Sequence, residues 1–275
     1  PSRTERGMNL SQLTRALDGR TEGLTRNRVL LASADSTNAV ARQIVRSFLD
    51  AELQPPSFLV VAIQQKAGRG RLRREWLSLP GRGVYLSLMT VSKGEDELAS
   101  LPLLVGAGVS RRISQICGCQ CRLKWPNDLM VGGRKVGGIL IECLTRGQAA
   151  SGAVIGIGVN YSGSEEVSAV GGIGMDEITQ ELPELPEVVA EIAVAVEDEL
   201  QHIGDMAYAV ARSREVSEHQ PGDSIRFRTG EGVQQGTFAG IDDRGHLILL
   251  GSRGVEIRLS AGDVVEERKD KRYEP

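Results

Sequence analysis

The chain has 275 residues, 40% of them hydrophobic and 25% charged, with a formal net charge of -3. Those values suit a soluble globular protein with room for one large domain and one small one, and the mildly acidic balance gives no overall pull toward nucleic acid or an anionic membrane. The opening PSRTERGMNLSQLTR lacks the apolar core of a signal peptide, and the longest apolar stretch, Leu98 to Val109, is interrupted by Ser, Pro and Gly and stops at Arg111 and Arg112, short of a bilayer span. A cytoplasmic protein without membrane contact is expected.

In chain order, LSQLTRALD (10–18) predicts a short helix and RVLLAS (28–33) a strand. STNAVARQIVRSFLDAEL (36–53) sets Val40, Ile44, Phe48 and Leu49 at helical spacing behind capping Ser and Thr. SFLVVAIQ (57–64) is a β-branched strand running into a basic loop, and GVYLSLMTV (83–91) is a further strand. LASLPLLVGAGVSRRISQIC (98–117) predicts a core helix, and DLMV and KVGGILIECL form hairpin arms around GGR (132–134). GAVIGIGVN (152–160) is a strand, an exposed loop runs to about residue 174, and LPEVVAEIAVAVEDELQHI (185–203) is an amphipathic helix. From HQPGD (219–223) onward the pattern becomes short strands with regular turn signals, that of a small all-β barrel, which puts a domain boundary near 218–222. The last ten residues, EERKDKRYEP, read as solvated.

Cys117, Cys119, Cys121 and Cys143 are four thiols with no export signal, so reduced cysteines are expected. The C-x-C-x-C spacing is not that of a zinc site and the three histidines are distant. Two-residue spacing predicts one face of a strand, with buried structural cysteines. No metal site is assigned.

Chemistry concentrates in three stretches. QQKAGRGRLRREW (64–76) nearly makes a dinucleotide fingerprint, but Arg73 holds the third glycine position, and the chain has no Gly-Lys pair for a phosphate loop of the Walker type. Gly68 and Gly70 let backbone approach a ligand, while Arg69, Arg71, Arg73 and Arg74 supply charged donors. By itself the loop reads equally as a solvated or RNA-contacting face and as a lid over a phosphate-bearing ligand. KWPND (124–128) is a rigid aromatic turn presenting an amide and a carboxylate. Lys135, seven residues beyond Asp128 and followed by Gly137 and Gly138, can seat a carboxylate or phosphoryl oxygen; a plain hairpin lysine is the alternative.

DSTN (35–38), AGRGR…REW (67–76), KWPNDL (124–129), KVGGIL (135–140) and GIGVN (156–160) occur in that order. Together they resemble the biotin protein ligases, which attach biotin to a lysine of carboxylase carrier domains. The resemblance covers residues 28–160 by motif and extends more loosely to the C-terminal barrel. It implies an α/β (α+β) catalytic domain on a mixed sheet, residues 1–220, followed by a small SH3-like β-barrel, residues 221–275. It implies biotin and Mg²⁺-bound ATP as substrates, with no tightly bound prosthetic group. The partner implied is the biotin carboxyl carrier domain of acetyl-CoA carboxylase or a related biotin enzyme; a homodimer is left open.

By position, the resemblance gives Ser36, Thr37 and Asn38 to the ureido ring of biotin, compatible with helix capping. Gln65, Arg69, Gly70 and Arg71 match a lid over biotin and then over its adenylate, and Arg74 joins them on the nucleotide side. Lys135, with Gly138 beside it, matches the lysine between the biotin carboxylate and the reacting phosphate. Asp128 and Asn127 match polar groups facing phosphate and metal, Lys135, Arg71 and Asp128 being the catalytic set. Trp76 matches a lid tryptophan near adenine or a buried anchor, and Asn160 ends a strand in the nucleotide pocket. Arg73 stands where the family's lid carries a later glycine, so a left-handed backbone there implies a strain of about 1–2 kcal/mol, and Glu75 lowers the lid's charge. Two alternatives share parts of this reading: a lipoate ligase, and a ligase that doubles as a DNA-binding repressor. With 34 residues before DSTN holding one short helix, no specific operator binding is expected.

Overall fold

A computed structural model describes residues 8–18, 20, 23, 26–92, 94–146, 149–229, 232–251, 254–260 and 262–265. The expectation of a solvated tail at 266–275 lies outside the described residues.

A seven-stranded mixed sheet forms the body. Its strands are β1 (Arg28–Leu31), β2 (Phe58–Ala62), β3 (Gly83–Val91), β4 (Arg122–Lys124), β5 (Asp128–Val131), β6 (Arg134–Arg146) and β7 (Ala149–Asn160), in the order β1-β2-β3-β7-β6-β5-β4. β1 and β2 are parallel and every other neighbouring pair is antiparallel. α1 (Leu10–Asp18), α3 (Glu95–Cys117) and α5 (Leu185–Leu200) cover one face, while α2 (Thr37–Asp50) covers the other. Successive strand residues point to opposite faces, so β2 feeds both cores: Leu59 and Val61 pack toward the three-helix side, Phe58 and Val60 toward α2. β3 does the same, with Leu86 and Leu88 on one side and Met89 on the other. That alternation places Ser87, polar and fully buried, beneath the start of α2.

The β5–β6 turn follows from two glycines. Gly132 and Gly133 both take positive φ, 57° and 75°, the left-handed pair that a two-residue hairpin turn requires. The turn is therefore 132–133, and Arg134 already belongs to β6.

After α4 (Glu165–Ala169) and α5, the chain forms α6 (Met206–Glu215), N-capped by Asp205, whose carboxylate accepts from Tyr208 N at 2.9 Å. Neither α4 nor α6 is expected from the sequence. α4 falls in the stretch read as an exposed loop, and α6 has a mixed surface without a clean apolar stripe. Five antiparallel strands follow: β8 (Ser224–Thr229), β9 (Gly232–Ile241), β10 (Leu247–Leu250), β11 (Glu256–Leu259) and β12 (Asp263–Val265), in the order β11-β10-β9-β8-β12. This is the small all-β module the turn pattern implies. Its apolar residues, including Phe227, Phe238 and Leu249, share a core with Leu103 and Leu104 of α3, Trp125, and Ala209 and Val210 of α6. Trp125 Nε1 also donates to Gly245 O at 3.2 Å.

The cysteines correct the reading of 117–121. Cys117 ends α3, Gly118 caps it in the left-handed region at φ 62°, and Cys119 and Cys121 lie in the connection to β4. The C-x-C-x-C run is a helix end and turn, because a glycine at C′ stops a helix. None of the four cysteines is in a disulfide; Cys117 and Cys121 are buried, Cys119 is half-buried, and Cys143, on β6, is exposed.

Candidate active site

A cleft opens over the sheet where the start of α2, the loop after β2 and the β5–β6–β7 strands converge. Its wall at α2 is made of buried, uncharged groups. Ser36 occupies the N-cap position in extended conformation, but its side chain makes no capping hydrogen bond. Gln65 does that work instead: its Oε1 accepts from Thr37 N at 2.8 Å and lies 3.2 Å from Thr37 Oγ1, while its Nε2 donates to Ser78 Oγ at 3.1 Å. Ser87 Oγ lies 2.7 Å from Thr37 Oγ1 and 2.6 Å from Asn38 Oδ1. Asn38 Nδ2 donates to Glu142 Oε2 at 2.8 Å, and Arg42 Nη1 donates to Glu142 Oε1 at 2.6 Å.

Glycines on β7 let this wall approach the sheet. A Cβ on Gly156 would sit 2.2 Å from Asn38 Oδ1, and one on Gly158 would sit 2.5 Å from the Trp76 ring. Only residues without a Cβ fit at such separations.

The other wall is cationic. Arg69, Arg71 and Arg74 enter from the lid and Lys135 from β6, facing two carboxylates, Glu75 and Asp128. Lys135 Nζ donates to Asp128 Oδ1 at 2.6 Å and stands 5.5 Å from the centre of the Trp76 ring. Gly138 makes room for both: a Cβ there would meet Lys135 Cε at 3.3 Å and Trp76 at 3.4 Å. Trp76 Nε1 is buried with no hydrogen-bond partner among the described residues. Arg71 Nη1 donates to Asn127 Oδ1 at 3.0 Å and to Gly262 O at 3.1 Å, so the lid arginine touches both the β4–β5 turn and the connection that leads into β12.

The lid closes on itself through Gly70 N to Arg74 O at 2.8 Å and Trp76 N to Gly68 O at 2.9 Å. Its left-handed residue is Leu72, at φ 53°, not Arg73. The strain anticipated at Arg73 falls one residue earlier, on an exposed leucine. Behind the lid, Tyr85 O–H donates to Leu79 O at 2.9 Å; burial pushes its phenol well above the usual range, so it stays a donor. Among the described residues no group of three or more His, Cys, Asp or Glu side chains could hold a metal ion, and no helix is long and apolar enough to cross a membrane.

Residues 30–160 match the biotin/lipoate A/B protein ligase family and 222–265 match the biotin protein ligase C terminal domain. A biotin–[acetyl-CoA-carboxylase] ligase of Paracoccus denitrificans is 30% identical over 236 residues, 83% of this chain and 96% of that one. The chain belongs to the biotin protein ligase family. A bifunctional ligase/repressor of Bacillus subtilis is 30% identical over 229 residues, of which the match spans 66% of the relative. A biotin protein ligase from Aquifex aeolicus, solved in complex with biotin and ATP, superposes with a TM-score of 0.71 at 26% identity, covering 87% of this chain and 98% of that one.

Of the residues singled out from the sequence, Ser36, Thr37, Asn38, Gln65, Arg69, Gly70, Arg71, Arg74, Trp76, Asn127, Asp128, Lys135 and Gly138 all line this one cleft. Asn160 is outside its lining: it ends β7 and donates from Nδ2 to Lys135 O at 3.2 Å, which fixes the backbone of the lysine. The sequence reading missed Ser87 and Glu142. Each is a polar residue inside an apolar strand, GVYLSLMTV and GILIEC, and that interruption is the signal that marks them.

Proposed function

We propose that this biotin protein ligase joins biotin and ATP to form biotinyl-5'-AMP and pyrophosphate, then transfers biotin to a lysine of a biotin carboxyl carrier domain, of acetyl-CoA carboxylase or a related enzyme. The observation that carries the reading is the division of the cleft. One wall offers buried neutral hydrogen-bonding groups and the other offers Arg69, Arg71, Arg74 and Lys135. A ligand with an uncharged polar ring at one end and anionic groups at the other meets both walls.

In the first step the biotin carboxylate attacks the α-phosphate of Mg²⁺-bound ATP. Two anions have to be brought together, and cations at the meeting point remove most of the repulsion. Lys135 is the group to span the carboxylate and the α-phosphate, its ammonium moving from Asp128 to the ligands. Arg71 adds a donor to charge that builds on phosphorus, in a site where fixed dipoles act at little reorganisation cost. Arg74 and Trp76 take the nucleotide side, and Asn127 holds Arg71 in place. In the second step the carrier lysine attacks the mixed anhydride and AMP leaves. The lid of residues 66–76 keeps water from the anhydride meanwhile.

Lipoate ligation, the alternative on the same fold, has less support. The C-terminal match is to the biotin enzymes, and a biotin ligase aligns along 83% of the chain. Biotin-dependent exchange of pyrophosphate into ATP, with lipoate as competitor, tests the reading. Exchange should require biotin and be indifferent to lipoate; exchange driven by lipoate would sink it.

A further inference from the structure

We propose that Glu142 selects for a ligand that presents N–H donors, by fixing the direction of a hydrogen-bond chain across the base of the cleft. The inference rests on the reading of this wall as the seat of the biotin ring. A carboxylate accepts hydrogen bonds and cannot donate them. Glu142 Oε2 lies 2.8 Å from Asn38 Nδ2 and Oε1 is held by Arg42 at 2.6 Å, so the amide must turn its nitrogen toward β6 and its oxygen inward.

The inward oxygen can only accept, and Ser87 Oγ stands 2.6 Å from it. Ser87 therefore spends its one proton on Asn38. Ser87 Oγ and Thr37 Oγ1 are 2.7 Å apart, and with the serine proton committed, the proton between them is Thr37's. Thr37 Oγ1 is left with lone pairs alone for a ligand. The competing acceptor for that proton, Gln65 Oε1, is farther at 3.2 Å and already takes Thr37 N at 2.8 Å.

Burial keeps the chain from being reset by water. Ser87 is 0% exposed, Thr37 3% and Asn38 5%. Gln65 Nε2 is engaged by Ser78, so Gln65 too turns its oxygen toward Thr37. The base of the cleft thus presents acceptors, and a cyclic urea with two N–H groups meets them. A dithiolane ring, which has no donor, leaves them unsatisfied, and buried unpaired acceptors reject a ligand more strongly than a missing apolar contact does. Asn38 Nδ2 also reaches Leu140 O, at 3.4 Å, a longer contact than the 2.8 Å one to Glu142. With a neutral amide in place of Glu142 only that weaker hold on the direction is left, and the chain could then run the other way.

The test is steady-state ATP–pyrophosphate exchange by the full chain with biotin and with the two biotins singly methylated on a ureido nitrogen. Wild type should discriminate against at least one methylated form. Glu142→Gln should raise the biotin KM about tenfold, the size of one hydrogen bond between uncharged partners, with kcat and the ATP KM near wild type. The penalty for methylation should shrink by a similar factor, because steric cost is common to both proteins and cancels in the double comparison. Ser87→Ala, which cuts the chain at its centre, should repeat the pattern and carries the test if Glu142→Gln fails to fold. An unchanged biotin KM, an undiminished methylation penalty, or a wild type indifferent to methylation would overturn the inference. Absence of biotin-dependent exchange in wild type would instead overturn the proposed function.

Discussion

Along the α2 wall of the cleft, Thr37, Asn38, Gln65 and Ser87 are buried and tied to one another and to Glu142 within about one hydrogen-bond length. Along the opposite wall Arg69 and Arg74 stand in solvent, Arg71 and Lys135 are half-buried, and Lys135 is paired with Asp128 at 2.6 Å. The first wall is already fully hydrogen-bonded, and under the proposed function it would contribute selectivity. The second holds charges that, under the same proposal, would change partner when anions enter and would contribute rate. A neutral ring is recognised by direction of hydrogen bonding, which only a dry, fixed network preserves. An anion is recognised by charge, which survives exposure and motion. If that division is right, changes to the charged wall should act on turnover and changes to the buried wall on biotin KM.

The largest expected effect lies at Lys135. Removing a donor that meets developing charge typically costs ~10²–10³ in rate, whereas loss of a surface lysine shifts stability by less than about 0.5 kcal/mol. Lys135→Ala should keep the melting temperature of wild type and lose most single-turnover pyrophosphate release at saturating biotin and ATP. Release at the wild-type rate would reduce Lys135 to a hairpin surface residue and erase the contrast between the walls.

Arg71 comes next. It reaches Asn127 in the β4–β5 turn and Gly262 just before β12, so besides the donor it is proposed to offer to phosphorus it ties the lid to a loop of each sheet. Arg71→Gly should leave the fold intact and let biotinyl-adenylate escape. Free adenylate in solution and biotinylation of added bystander protein should both rise by about tenfold, the loss of a hydrogen-bonded charge contact worth ~1.5 kcal/mol. Labelling confined to the carrier would mean that Arg71 does not retain the intermediate.

How much of this was legible beforehand follows the same division. The charged wall is written in local runs: AGRGR, KWPND and KVGG each set a cation or carboxylate at a strand end, where loops gather function. Strand boundaries such as 83–91 came through because β-branched and apolar runs are bounded by turn residues. The buried network was not legible. Ser87 and Glu142 are separated by 55 positions from each other and meet only through Asn38, so no window of sequence contains the pair. The strand expected at Cys117–Cys121 failed because two-residue spacing also fits a helix end capped by Gly118. Asn160, given to the nucleotide side by position, has an amide that donates to the Lys135 backbone, a contact 25 positions away that no local run announces. Leu72 carries the lid's left-handed backbone although nothing in a leucine announces it.

The smallest effect, and the one that sharpens the comparison most, concerns Arg42. It pairs with Glu142 at 2.6 Å, but its side chain is 45% exposed and that of Glu142 29%. Exposed pairs of this kind contribute about 0.2–1 kcal/mol because water and salt screen them. In the selectivity chain, direction comes from the carboxylate being unable to donate, and that property does not need Arg42. Arg42→Ala should therefore raise the biotin KM by less than about fivefold, the upper end of that range, and leave the methylation penalty intact. The residual effect should fade as salt is raised, since screening already weakens the pair in wild type. Glu142→Gln, by contrast, should lose selectivity at every salt concentration. Equal loss of selectivity in Arg42→Ala would mean that the ion pair itself, rather than the acceptor character of Glu142, orders Asn38, and the buried wall would then rest on exposed charge just as the other wall does.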